Sequence, residues 1–166
     1  MNGFLRWVLL FSVMTALAVV VHFYGGYQKL ITEDPSMICF GILGAFFIVT
    51  ANIGWLTWKF SRNLYDKSVI NQVYTSLNNG WVSASLVSRV GMLGTIIGFI
   101  VAIQGFSALD VGNPVQNATA MKTIASGVSI ALYTTFVGLV CNIFITLQSH
   151  NLAQAIKQHW RELNEK

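Results

Sequence analysis

Charged residues are scarce in this sequence. Asp, Glu, Lys and Arg make up 10% of its 166 residues, against roughly 25% in a typical soluble domain. So little charge leaves almost nothing from which to build a separate soluble domain. Cysteine occurs twice, as Cys39 and Cys141, both inside apolar runs. That placement fits small core residues and excludes a disulfide framework or a thiolate metal site. No span or loop pairs a nucleophile with a base or clusters metal ligands, so neither an enzyme nor a metal or cofactor site is expected. The most consequential absence is intramembrane charge: no Asp, Glu, Lys or Arg stands in the middle of any apolar run. An ionisable group there is the usual mark of an ion pathway, so a proton crossing this chain would need a carboxylate from elsewhere. His22 lies near the outer end of the first run, and His150 and His159 lie in the C-terminal tail.

What is present is hydrophobic, 54% of the residues, and it is arranged in four runs. They extend from Trp7 to Tyr24, Met37 to Trp58, Val90 to Leu109 and Ile124 to Leu147. Each matches, or nearly matches, the about 20 helical residues that a bilayer core requires. The expected fold is all-α: a single membrane domain over residues 1–166, with four transmembrane helices. The first run is longer than a signal-peptide core and lacks a small-residue cleavage site, so it reads as retained. Gly25 to Ser36, with Pro35, and Asp110 to Thr123, with Gly112-Asn113-Pro114, carry turn chemistry.

Basic residues orient the bundle. With both termini in the cytoplasm, Arg6, Lys59, Arg62, Lys67, Arg89, Lys157, Arg161 and Lys166 lie inside, eight of the ten; only Lys29 and Lys122 lie outside. The positive-inside rule therefore selects cytoplasmic N and C termini. Trp7, Tyr24, Tyr27, Trp55 and Trp58 fall at the expected interfaces as aromatic anchors. The net charge of +4 is accounted for by this topology. Lipid, and not nucleic acid, is the expected surroundings. Two cytoplasmic pieces remain. A helical pattern between Arg62 and Leu77 is closed by Asn78-Asn79-Gly80, and a narrow stripe of Leu152, Ile156, Trp160 and Leu163 runs along the tail, residues 148–166. They are expected to lie on the membrane surface or to extend spans two and four.

The third run places Gly91, Gly94, Gly98, Ala102 and Gly105 along one side of a helix, with Thr95 as a lone hydroxyl. The fourth repeats the pattern with Gly127, Ala131, Thr135, Gly138 and Asn142, and Thr134 stands beside them. Small residues let membrane helices approach closely where lipid is as apolar as the side chains. Both faces are expected to pack inside an assembly, with the threonines toward an interface or a pore. A membrane threonine also commonly bonds its own carbonyl four residues back, and Asn142 equally fits helix–helix glue.

Spans three and four resemble the paired pore helices of the MotA/TolQ/ExbB proton channel family. Gly91-Met92-Leu93-Gly94-Thr95-Ile96-Ile97-Gly98 is similar to that family's GLLGTVxG signature, and Ala102 and Phe106 fit the positions that follow. Gly127 through Leu139 is similar to its GIAxALxxTxxGL signature. The resemblance implies a homo-oligomeric ring, a pentamer, around single-transmembrane-helix subunits like MotB, ExbD or TolR. It also implies a multi-pass protein of the bacterial inner membrane. The partner would supply an intramembrane Asp facing Thr95 and Thr135, and ion flow would drive motion in an envelope process.

Three departures qualify the resemblance. Ile130 stands where the ExbB and TolQ branches carry a glutamate. The segment from Lys59 to Arg89 is too short and too weakly charged for the cytoplasmic insertion of a flagellar stator. Phe144 lies near the place of the proline that usually follows the second motif. These features point to a compact member that energises some other process. A non-conducting membrane scaffold and a small holin-like pore stand as alternatives.

Overall fold

The structure, a computed structural model, describes residues 3–23, 37–62, 67–110 and 112–164. The turn expected at 25–36, with the anchors Tyr24 and Tyr27, lies outside the described residues, as do the side chains of Arg6 and His22. The chain is all-α. Its helices are α1 (Gly3–Phe23), α2 (Ile38–Arg62), α3 (Lys67–Ser107) and α4 (Pro114–Asn164). Among the described residues, α2, α3 and α4 are each long and apolar enough to cross a membrane, whereas α1 contributes a shorter apolar stretch, Trp7–Ala16. The protein is therefore a helical membrane protein with three helices of spanning length; the fourth expected span coincides with α1.

Two expected boundaries disappear. The pattern ending at Asn78-Asn79-Gly80 was expected to stop there, yet α3 runs unbroken through it for 41 residues. A helical glycine costs only about 1 kcal/mol relative to alanine, and packing offsets that here. Gly80 is buried, and a methyl carbon added to it would lie 2.9 Å from Ser149 Oγ on α4. The segment thus extends span three, not span two. The tail continues α4 without a break, making that helix 51 residues long.

α3 and α4 form an antiparallel hairpin, the largest packing pair of the molecule. Its tip is built by local side-chain bonds. Asp110 Oδ1 accepts from Gly112 N at 3.0 Å, and Asn113 Oδ1 accepts from Gln116 N at 3.2 Å. Asn113 is therefore the N-cap of α4, and Pro114 occupies the first helical position, where its missing N–H costs nothing. Asn117 Oδ1 accepts from Asp110 N at 2.8 Å and ties the cap back to α3.

α2 joins only the other half of the hairpin, the tail half. Ile53 lies beside Gly80, Lys59 Nζ donates to Gln72 Oε1 at 2.8 Å, and the Phe60 ring meets His159 edge-on at 6.0 Å. From Ile53 to Ile38, α2 rises fifteen residues, about 22 Å at about 1.5 Å per residue. The same rise carries α3 from Gly80 to Thr95. The apolar core accordingly contains Ile42, Phe46 and Ile53 of α2, Ile70 to Val87 of α3, and Cys141 to Ile156 of α4, with no residue of α3 beyond Val87. α1 packs on α2 and α4, with the Trp7 ring against Gly54. Among the described residues, α2 does not extend beside the hairpin past the level of Thr95.

Candidate functional site

Sequence spacing predicts two small-residue faces, and the structure presses them against each other within one chain. Gly91, Gly94, Gly98, Ala102 and Gly105 are all buried, as are Gly127, Ala131 and Gly138 opposite them. The backbones come close at mid-seam, where a methyl carbon on Gly98 would lie 2.5 Å from Ala131 N and Gly127 O. Neither neighbour is a side chain that can turn away, so only glycine fits. Each buried pair lets backbone meet backbone, which substitutes van der Waals packing for the hydrophobic drive that lipid removes. The stripe is thus used within the chain itself.

The threonines divide. Thr134 is fully buried under Gly94, and its hydroxyl donates to Ile130 O at 2.8 Å and also lies 3.3 Å from Ala131 O. Expected as an ion-path group, it is placed in the seam with its proton already bonded to its own helix. Thr95 and Thr135 are half-buried, and their hydroxyls hydrogen-bond each other across the two helices. Thr95 Oγ1 also lies 3.3 Å from Gly91 O. A hydroxyl can donate to an ionised carboxylate and accept from a neutral one. The pair therefore suits a group that changes protonation state in front of it.

The pair occupies the edge of the hairpin that α2 leaves open. On α4, Val137 and Phe144 pack against the α2-bearing core. Thr135 and Asn142 each precede one of these by two residues, about 200° around the helix, and so lie across the buried line of Thr134, Gly138 and Cys141. Asn142, expected on the packing face, is half-buried on this edge, and its Oδ1 accepts from Thr146 Oγ1 at 3.1 Å. Thr135, Asn142 and Thr146 thus form one polar edge on the side of α4 away from Val137 and Phe144. Ile130, at the position of the family's glutamate, is 2% exposed and faces the seam, so this chain offers no acid there.

Sequence reading missed a second polar group. Thr50, Gln148 and Ser149 are buried in the tail half, and their hydroxyl and amide atoms have no hydrogen-bond partner. Gly80 inside a helical pattern was the one available signal, since an isolated helical glycine usually has a packing reason. Cys39 and Cys141 are buried free thiols. Among the described residues no three His, Cys, Asp or Glu side chains group as metal ligands.

Comparison with known proteins adds one match. The family model of the MotA/TolQ/ExbB proton channel family matches residues 71–165, which is α3 almost entire, the tip and all of α4. That is more than half of the chain. No curated protein and no solved structure matches significantly.

Proposed function

This chain belongs to the MotA/TolQ/ExbB proton channel family, and from that premise we propose that it forms a ring around one or more single-span partner helices whose intramembrane Asp meets Thr95 and Thr135. The observation that carries this reading is the bonded hydroxyl pair on the uncovered edge of the hairpin. It lies beside the glycine seam of the hairpin, and neither Thr95 nor Thr135 has a carboxylate of this chain among its hydrogen-bond partners. Protonation of the partner's Asp would switch the pair from donor to acceptor. Each charge crossing the membrane releases about 2.3 kcal/mol per 100 mV, enough to bias relative motion of ring and core.

In this reading the termini and the tail half face the cytoplasm, as the distribution of Lys and Arg requires, and the membrane is the bacterial inner membrane. The ring is a homo-oligomer, a pentamer, and it energises an envelope process other than flagellar rotation. The deciding variant is Thr135→Val, which keeps volume and removes the hydroxyl. Assembly with the partner is expected to be unchanged and partner-dependent proton flux into reconstituted vesicles to be lost. Normal flux would remove Thr135 from the path.

A further inference from the structure

In the tail half, a cavity of about 320 Å³ opens between α2 and α3, within the about 300–1,000 Å³ of pockets that hold small molecules. Ile53 beside Gly80 and Lys59 bonded to Gln72 fix how the two walls align. In that register Val49 lies at the end nearer the tip, Asn52 and Asn79 come next, and Trp55 and Ser76 lie nearer the tail. Asn52 and Asn79 are exposed. Asn52 stands ten residues before the end of α2 at Arg62, about 15 Å at about 1.5 Å per residue, a depth at which hydrocarbon gives an amide nothing to bond.

The tail end of the cavity is cationic. Lys59 Nζ donates to Gln72 Oε1 at 2.8 Å and lies 5.4 Å from the centre of the Trp55 ring, so its ammonium is drawn back toward the cavity rim. Three residues on, the Arg62 guanidinium lies 4.8 Å from the centre of the Trp58 ring. Tryptophan and basic residues gather at the headgroup level of a bilayer, which puts this rim where lipid phosphates lie. α2 and α3 contain no Asp or Glu; their charges are Lys59, Arg62, Lys67 and Arg89.

Toward the tip the exposed row of Trp55 and Asn52 continues along α2 as Ile48, Ala45 and Gly41. A methyl carbon on Gly41 would meet nothing within 4 Å. The surface therefore passes from cation, to amide and hydroxyl, to a shallow apolar track. A phospholipid presents its groups in the same order: phosphate, glycerol esters, acyl chain.

We propose that the cavity between α2 and α3 binds an anionic phospholipid. Its phosphate meets Lys59 in a charge-assisted bond, its ester oxygens accept from Asn79 Nδ2 and Ser76 Oγ, and one chain follows the track to Gly41. A zwitterionic headgroup would bring its own cation against Lys59 and Arg62, so the fitting headgroup carries no amine, as in phosphatidylglycerol. Free phosphate would use the rim and leave the track empty. Occupancy does not depend on ion flow.

The test uses the protein purified in detergent and washed free of bound lipid, with its thermal midpoint read after each addition. Phosphatidylglycerol is expected to raise the midpoint by several degrees, and phosphatidylcholine or inorganic phosphate by far less. No effect of phosphatidylglycerol overturns the site. An equal effect of phosphatidylcholine overturns the anionic headgroup, and an equal effect of inorganic phosphate overturns lipid as its source. Lys59→Gln is expected to remove most of the shift. Ser76→Leu, or Asn79→Leu where Ser76→Leu fails to fold, is expected to remove it by filling the cavity. Lys157→Gln deletes an exposed cation of α4 instead and should preserve the shift; a loss as large as with Lys59→Gln overturns the site in favour of diffuse surface charge.

Native mass spectrometry reads occupancy directly. Phosphatidylglycerol retained by the parent is expected to fall severalfold in Lys59→Gln and in the filling variant. A filling variant that keeps its lipid overturns the cavity as the place of binding, and one that keeps its lipid but changes oligomer size gives the cavity to a neighbouring copy of the chain.

Discussion

Toward the tip, α3 and α4 meet through glycine and alanine, with α2 no longer beside them among the described residues and large apolar side chains such as Ile96, Ile100, Phe99 and Leu132 turned outward. Toward the tail, the same two helices meet through Ile70, Val73, Ile145 and Ile156, joined by α2 and covered in part by α1. The first half is held by close approach and the second by interlocked side-chain volume. The difference follows the residues that meet. In lipid an exposed isoleucine is not driven inward, so adhesion must come from backbone proximity and from bonds such as Thr95 to Thr135. Where α2 joins the hairpin, large aliphatic side chains from three helices interlock into a core. The hydroxyl pair sits at the boundary of the two regimes, fixed from below by the core and from the side by the seam.

The harshest way to break this comparison is to put volume into the seam. Gly98→Leu must displace Ala131 N and Gly127 O, which are backbone atoms. The hairpin is expected to open, with loss of the ring-sized species on sizing in detergent. A normal oligomer would show that the seam is looser than the structure has it. In the tail half, the corresponding perturbation removes volume instead. Ile156 is 1% exposed, and Ile156→Ala is expected to cost about 2–5 kcal/mol. It should lower the thermal midpoint while leaving the ring intact at low temperature. If it disrupts assembly as thoroughly as Gly98→Leu, the two halves are not separately held.

A smaller effect probes the tip. Asn113→Ala removes the cap of α4 and is expected to cost about 1 kcal/mol. Because the tip lies outside the apolar core of the described residues, the loss should appear locally, as faster amide exchange at Gln116, with the tail-half amides unchanged.

Much of this was legible in the sequence, for reasons that particular residues make plain. The small-residue faces at Gly91 to Gly105 and Gly127 to Gly138 are periodic, and periodicity is what a sequence displays best. The same spacing put Thr95 and Thr135 toward an interface or a pore, whereas their bond to each other comes from the structure. The sequence was less informative where tertiary packing overrules local preference. Asn78-Asn79-Gly80 has the composition of a helix end, yet α3 continues because Ser149 fills the space that Gly80 leaves. Gln148 and Ser149 look like solvated residues at the end of a span, and only the arrival of α2 buries them. Whether the glycine stripe met another subunit or its own hairpin was also beyond a single sequence, since both uses need the same spacing.

The finest test separates two adjacent threonines. Thr134 and Thr135 differ by one residue, so about 100° of helix rotation sends one into the seam and the other to the open edge. Thr134 bonds its own backbone, and such a bond contributes little to stability because a valine of the same shape leaves only a helix carbonyl that is already bonded. Thr134→Val is therefore expected to shift stability by less than about 1 kcal/mol and to leave proton flux at the parent level. Measured in the same vesicles as Thr135→Val, it controls for volume, for β-branching and for the loss of one hydroxyl from α4. If both variants lose flux, the path does not distinguish seam from edge, and the hydroxyls act through packing. If only Thr135→Val does, what matters is the side of the helix on which the hydroxyl stands.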